Sequence, residues 1–563
     1  MFRAKIFVLN NERELAERIR LLRSLAGAIA RPRRASGLRV PAWRHFNHSA
    51  SRREQKVLPD ASSPANRLDL IVVSAMVAVI SGLVAYGVWK TLSDNANIPN
   101  PMTAILDLDR LPPVNYATLE DMKKAIAEIE YELRDTEDTS RYGFSEWSSI
   151  KFDTLPIAVA YPRNTDQVST IARVCHKWKV PIISYSGGSS LEGHTAAPFG
   201  GISMDFIYMN QIIKVNEEDM DVVVQPSVQW MALNEKLKQM GIGLFFPMDP
   251  SPSAKIGGMI SSNCSGTNAV HHGTMRDWVI NLTVVLVDGS VIKTCQRPRK
   301  CSAGYNVKGF FVGSKGTVGI VTEVTLKLAV LPENYSVAVV PYNTIFDAVS
   351  AATKVIRKGI LVAALELMNE TQMRIVNEGG VTRPRFAGSK AMLDETIQDV
   401  KQITEAHSSE GFEFARNEES LYSLLALRKD GEEMWYTEVA VPLSRLADII
   451  VSSKQEAAAM GLNACVKGHV GDGNFHENIT YDSTQRGEFE KARSAVRNMV
   501  RRATEMEGTC TAEHGIGFVK KDALRQEVGS ETLSFMDHLT LTGSCMIERP
   551  SPGEFVSSNH FLS

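Results

Sequence analysis

The run Val180-Pro-Ile-Ile-Ser-Tyr-Ser-Gly-Gly-Ser-Ser-Leu-Glu-Gly-His194 constrains this chain more than any other. A β-type segment from Val180 to Tyr185 breaks into a loop whose side chains are small or absent: Ser186, Gly187, Gly188, Ser189 and Ser190. Glycine tolerates positive φ, so successive backbone N–H groups can converge on one point. Such a nest of amides binds an anion, most often a phosphate. The loop contains no Lys or Arg, which leaves that task to the amides. The G-x-G-x-x-G spacing of dinucleotide folds is absent. Taken alone, such a loop is equally an ordinary turn. Its context is more specific. Asn164 followed by Gln167 reads as an N-cap with its capping-box partner, and Val168, Ile171, Cys175 and Trp178 form one apolar helix face.

At 563 residues the chain holds several domains. A net charge of −2 excludes a general nucleic-acid surface. The seven cysteines are scattered and odd in number, with no C-x-x-C, which argues against a disulfide framework, a zinc knuckle and a c-type haem site. Residues 1–67 open Arg-rich, with acids in the first 53 residues confined to Glu12, Glu14 and Glu17; a mitochondrial presequence with a basic tail is expected, against a plain basic tail. Leu70 to Trp89 carries no charge, and about 20 such residues span a bilayer, so residues 68–90 are expected to be a single transmembrane anchor. Residues 91–150 read as a Pro-containing linker and a helix over 118–134 capped by Thr118 and Asp121.

From 151 to 331 strands and helices alternate with many glycines, including a second small-residue region at 256–268 and a β segment opened by Gly313–Ile320. From 332 to 540 helices at 346–358, 393–407 and 444–461 alternate with strands at 362–368 and 433–442, an α+β pattern. Within it, Gly468-His-Val-Gly-Asp-Gly-Asn-Phe-His-Glu-Asn478 reads as a hairpin. A four-residue turn over Gly471–Asn474 places Val470 opposite Phe475 and His469 opposite His476, with Cβ atoms about 5 Å apart on one face. Two facing imidazoles suit a divalent metal; the alternative is a hydrogen-bonded His pair.

The segments FSEWSS (144–149), SGGSSLEGH (186–194), FPMDP (246–250), IGGMISSNCSGTNAV (256–270), GTMRDWV (273–279) and KCSAGYNVKGFFVGSKGTVGIVTEVTLKL (300–328) resemble, in order, those of FAD-linked oxidases with a vanillyl-alcohol-oxidase-type (PCMH-type) FAD-binding domain. Within that family they resemble the fungal mitochondrial D-lactate dehydrogenases (cytochrome), from about residue 110 to about residue 540. The resemblance implies a two-subdomain FAD-binding domain under a ferredoxin-like antiparallel substrate domain. It implies non-covalent FAD held by Ser186, Gly187, Gly188, Ser189, Ser190, Leu191 and Gly193, with Pro250, Gly257, Gly258, Asn263, Ser265, Gly266, Gly273, Gly316 and Ile320. His194 is expected to be structural rather than a covalent flavin link. Three departures stand out: Ser189 for Thr, Ser227 for Gly, and Lys315 for Glu, the last a charge reversal near the flavin-domain surface.

The resemblance further implies that Arg428 pairs with a substrate carboxylate, chemistry that suits a guanidinium fork; a solvated Arg is the alternative. Glu513 is implied as the third ligand of a Zn or Mn site at His469 and His476, and His514 as the base, with a pKa near working pH. Neighbouring strand residues point to opposite faces, so Glu513 and His514 can meet only if the chain bends; Gly515 and Gly517 permit that. The implied reaction is oxidation of a small 2-hydroxy acid, D-lactate, with cytochrome c as electron acceptor, at the inner membrane facing the intermembrane space. D-2-hydroxyglutarate or another D-2-hydroxy acid is the nearest alternative, and a tethered flavoprotein without turnover is an alternative of another class. The family's Asn-Pro-Gly-Lys ending is replaced by a divergent tail, assigned to 541–563.

Overall fold

The computed structural model describes residues 4–8, 116–129, 133–134, isolated positions between 139 and 152, 154–336, 338–372, 386–388, 390–414, 432–482 and 484–541. The apolar run 70–89, Arg428 and residues 542–563 lie outside the described residues. Among the described residues no helix is long and apolar enough to cross a membrane.

Strand β1 (Ala4–Val8) and helix α1 (Leu119–Glu128) come first. Thr118 caps α1 as expected, its hydroxyl accepting from Asp121 N, but the helix stops at Ile129, whose backbone is extended. Leu133, expected in the helix, lies instead in β2 (Leu133–Arg134). A four-stranded sheet follows from β2, β3 (Ala158–Ala160), β4 (Ile182–Tyr185) and β5 (Ile202–Asp205), in the order β2-β3-β5-β4, with β3 and β4 both parallel to β5. Helix α2 (Thr165–Trp178) joins β3 to β4 and buries Val168, Ile171, Ala172 and Cys175. Asn164 Oδ1 accepts from Gln167 N at 3.0 Å, while Gln167 Oε1 accepts from Arg163 N at 2.7 Å. The cap is therefore reciprocal, with the return bond made one residue earlier than in a standard capping box.

The second sheet of this half is antiparallel. It orders β6 (Ile212–Asn216), β7 (Asp221–Val224), β8 (Val279–Val285), β9 (Val291–Lys293) and β10 (Ile320–Lys327) as β9-β8-β10-β7-β6. Helices α3 (Trp230–Met240) and α4 (Ile256–Ser262) pack on it through Leu233, Leu237, Met259 and Ile260.

The C-terminal half contains β11 (Ala338–Tyr342), α5 (Ile345–Arg357), β12 (Leu365–Asn369), α6 (Lys390–Ala406), β13 (Glu413–Phe414), β14 (Glu432–Ala440), α7 (Leu446–Ala459), β15 (Asn463–His469), β16 (Asn474–Asp482), α8 (Arg486–Glu505) and the kinked α9 (Lys521–Leu541). Its seven-stranded sheet runs β13-β11-β1-β12-β15-β16-β14, antiparallel throughout. β11, α5, β12, α6 and β13 trace the split β-α-β pattern of a ferredoxin-like unit. The place between β11 and β12 is taken by β1, so residues read from sequence as presequence form an inner strand of this sheet.

Strand alternation decides this sheet's two faces. Leu365, Leu367, Val439, Val466 and Phe475 pack with Leu446, Ile449 and Met499 of the helices. The opposite face carries Glu366, Glu438, His469, Asn474 and His476, by register. Glu477 lies on the helix side, 2% exposed. Burial pushes its carboxyl up to about 7 against the pull of Arg502, and its Oε1 has no hydrogen-bond partner.

Two stability outcomes follow from these packings. Asn164→Ala should cost about 1 kcal/mol in denaturant unfolding, with Asn164→Ser close to wild type. A carboxyl with a raised folded pKa favours folding at low pH, and that contribution is lost as pH rises through about 7. Glu477→Gln should therefore raise the unfolding free energy at pH 8, by no more than about 3 kcal/mol, and the gain should vanish toward pH 5. A gain independent of pH would contradict the assignment.

Candidate active site

The central constellation comes from four adjacent strands. β12 contributes Glu366, β15 His469, β16 Asn474 and His476, and β14 Glu438. The hairpin register differs from expectation: His469 pairs with Asn474, Gly468 with Phe475, and Lys467 with His476. The connection is a tight turn over Val470–Asp472 that ends on Gly473 with φ 71°, so the strands close one pair earlier. The shift preserves parity, and the two imidazoles remain on one face as diagonal neighbours, ring centroids 5.2 Å apart at 89°.

Glu366 Oε1 lies 2.6 Å from His469 Nδ1. That contact leaves Nε2 pointing at Glu513, whose Oε1 is 3.6 Å from it and 3.1 Å from His476 Nε2. One ligand atom from each of His469, His476 and Glu513 falls within 4.8 Å of the others. Asn474 Nδ2 donates to Glu513 Oε1 at 3.1 Å, and Ser265 Oγ donates to Oε2 at 2.9 Å. Ser265, expected against the flavin, thus reaches from the flavin half to a candidate metal ligand. Burial pushes the Glu513 carboxyl up, but the His476 hydrogen bond and the imidazoles of His476 and His469 together hold it well below the carboxylate range. For His469, burial lowers the pKa, and the adjacent Glu366 more than reverses this.

His514 stacks obliquely on His476, centroids 5.1 Å apart. Its pKa is not near working pH: burial drives it down to about 3, so the ring is neutral there. Its Nδ1 is buried without a hydrogen-bond partner. Gly515 (φ 87°) and Gly517 (φ 48°) make the expected bend. A Cβ on Gly517 would sit 1.9 Å from Glu192 O, so only glycine allows this segment to lie on the loop that follows β4.

That loop leaves the C-terminal end of β4. Ser190 Oγ lies 2.6 Å from His194 Nδ1 and accepts from His194 N, an internal closure consistent with a structural histidine. Gly187 abuts Ser253 O and Lys255 N, and Gly316 abuts Ser184. Lys315 N bonds Ser261 O. Gly257 and Gly258 open α4, and Gly266 packs on Asp249, next to Pro250. Asn263 caps α4 in a left-handed conformation and spends its Oδ1 on Arg276 N and Thr274 Oγ1. Gly273 sits against Asp277, and Ile320 is buried at the start of β10. Leu191 O accepts from Ser148 Oγ, and Phe518 N bonds Glu192 O just before Gly193.

Sequence reasoning missed several residues. Lys255 Nζ donates to Ser186 O at 2.9 Å, bringing a cation to the loop from another segment. Lys315 is not at the surface: its half-buried ammonium donates to Glu513 O at 3.2 Å. Glu366 and Glu438 carried a readable signal, a carboxylate inside an apolar strand, which is costly unless paired.

Two family models match the chain: FAD binding domain over residues 156–295, and FAD linked oxidases, C-terminal domain, over residues 331–540. The mitochondrial D-lactate dehydrogenase [cytochrome] of Kluyveromyces lactis is 38% identical over 513 residues, covering 83% of this chain and 88% of that one. The protein of the same name in Arabidopsis thaliana is 40% identical over 443 residues, covering 75% and 78%. Among solved structures, substrate-bound p-cresol methylhydroxylase aligns with a TM-score of 0.62 at 16% identity over 77% of this chain and 96% of its own, a likeness of fold alone. The chain belongs to the FAD-linked oxidase family, among the mitochondrial D-lactate dehydrogenases (cytochrome).

Proposed function

We propose that this protein oxidises D-lactate to pyruvate with FAD and passes the electrons to cytochrome c. The observation that carries the reading is the meeting of His469, His476 and Glu513 with a buried, neutral His514 beside the FAD-binding loops. The residues suit both groups. Ser186 Oγ is a buried hydroxyl with no partner in the loop that would receive the pyrophosphate. His469 Nε2, His476 Nε2 and a Glu513 oxygen form a nitrogen–oxygen donor set with a carboxylate behind the first imidazole, the usual support of a metal-binding histidine.

When bound, FAD supplies the two-electron acceptor, and a divalent Zn or Mn supplies a Lewis acid for the substrate hydroxyl. The chain's own residues do the rest. Arg428 takes the carboxylate. His514, uncharged, accepts the hydroxyl proton. Ser265 and Asn474 hold Glu513 in place. Overall D-lactate loses two electrons and two protons, and the electrons leave singly. Anchoring at 70–89 in the mitochondrial inner membrane, facing the intermembrane space, would place the site beside that carrier.

One observation favours a second reading. A dicarboxylate such as D-2-hydroxyglutarate needs another cation, and none lies in Trp435–Val439, but Lys315 is brought to the Glu513 loop.

Mixed anaerobically with FAD-loaded protein, D-lactate should bleach the oxidised flavin band near ~450 nm, L-lactate should not, and His514→Ala should slow bleaching roughly 10²–10⁴-fold. Preferential bleaching by D-2-hydroxyglutarate would move the substrate; a flavin that no 2-hydroxy acid reduces would leave only a non-catalytic flavoprotein. Chelation should abolish turnover while FAD stays bound, Zn²⁺ or Mn²⁺ should restore it, and His476→Ala should neither retain the ion nor recover. Full activity in metal-free protein would remove the metal from the scheme.

A further inference from the structure

We propose that Glu438 is the positioning residue of this site: its carboxylate bends the 511–514 turn so that Glu513 and His514 act at one centre. The inference rests on the catalytic reading above and concerns how the chain brings two consecutive side chains together.

Glu438 stands directly opposite His476 in the β14–β16 pair, on the site face of the sheet. Its Oε1 accepts from Thr511 Oγ1 at 2.5 Å, Glu513 N at 3.3 Å and His514 N at 3.1 Å, and its Oε2 accepts from Ala512 N at 2.6 Å. Three successive amides and one hydroxyl thus converge on a single carboxylate. This is the geometry by which backbone nests hold anions, with the anion supplied by a neighbouring strand. Thr511 Oγ1 also accepts from Gly515 N at 2.9 Å, which closes the turn on its far side. Both carboxylate oxygens are taken up by the turn, so Glu438 acts through Glu513 and His514 rather than on substrate.

The counter-charge is built in. Lys520 Nζ donates to Glu438 O at 3.1 Å, lies 3.9 Å from Glu438 Oε1, and lies 3.4 Å from Glu192 Oε1. The three side chains are 3%, 0% and 2% exposed respectively, so none is a solvated surface charge. Glu192 belongs to the small-residue loop after β4, and Phe518 N donates to its carbonyl at 3.1 Å. The turn carrying the candidate ligand and base is therefore fastened on one side to the substrate sheet and on the other to the flavin loop. Removing a buried partner that orients a site residue typically costs activity or metal affinity without dismantling the fold.

Glu438→Gln keeps the shape and one acceptor oxygen but cannot receive both sets of donors. In the FAD-loaded protein, kcat with D-lactate should fall roughly 10–100-fold with KM little changed, and affinity for Zn²⁺ or Mn²⁺ in chelator competition should fall roughly tenfold, while FAD content stays at the wild-type level. Thr511→Val should shift both readouts in the same direction, and Thr511→Ser should restore them. Wild-type kcat and metal affinity in folded Glu438→Gln would overturn the proposal. If Glu438→Gln does not fold, unchanged kcat and affinity in Thr511→Val would do so. Failure of the catalytic reading itself would show in the wild-type chain as a flavin no 2-hydroxy acid reduces, and metal affinity in the variants would still decide the role of Glu438.

Discussion

The alternation of side chains across the seven-stranded sheet is the constraint on which the site depends. Covering one face with α5, α7 and α8 obliges Leu367, Val439, Val466 and Phe475 to point inward. A period of two then sends Glu366, His469, His476 and Glu438 to the other face, on four neighbouring strands. No side chain could leave this face without moving an apolar neighbour out of the core. The helix packing that stabilises the sheet is thus also what gathers the polar constellation.

Gathering these groups has an electrostatic cost, and the structure answers it with neighbours. Glu366 backs His469, whose other nitrogen faces Glu513; Ser265 and Asn474 complete the bonds of Glu513. Glu438 and Glu192 flank Lys520. Buried charges persist when paired and hydrogen-bonded. His514 receives no such support at Nδ1, and burial leaves it neutral. The same low-dielectric surroundings that make pairing of the carboxylates necessary keep this imidazole uncharged.

Local signals in the chain foretold their elements well. The Asn164 cap and the apolar face of α2 appear where periodicity and capping chemistry put them. The misses lie where longer-range packing intervenes. Helix α1 ends early because the chain turns into β2, and the hairpin closes one pair sooner because Gly473 accepts a left-handed turn. Lys315 looked like a surface charge reversal, yet its loop folds back toward Glu513. Nothing within five residues of Lys315 could have revealed that.

The sequence by itself determined the small-residue loop that follows Tyr185, the family, the parity that keeps His469 and His476 on one face, and the need for glycines after His514. These follow from residue type and short-range geometry, which travel with the chain. Only the tertiary structure decided that Lys255 reaches Ser186, that Ser265 serves Glu513 from the other half, and that Glu438 holds the bend in front of His514. Those contacts join residues 69, 248 and 76 positions apart. Hydrogen bonds and burial act through space, and no spacing along the chain encodes which distant strands become neighbours.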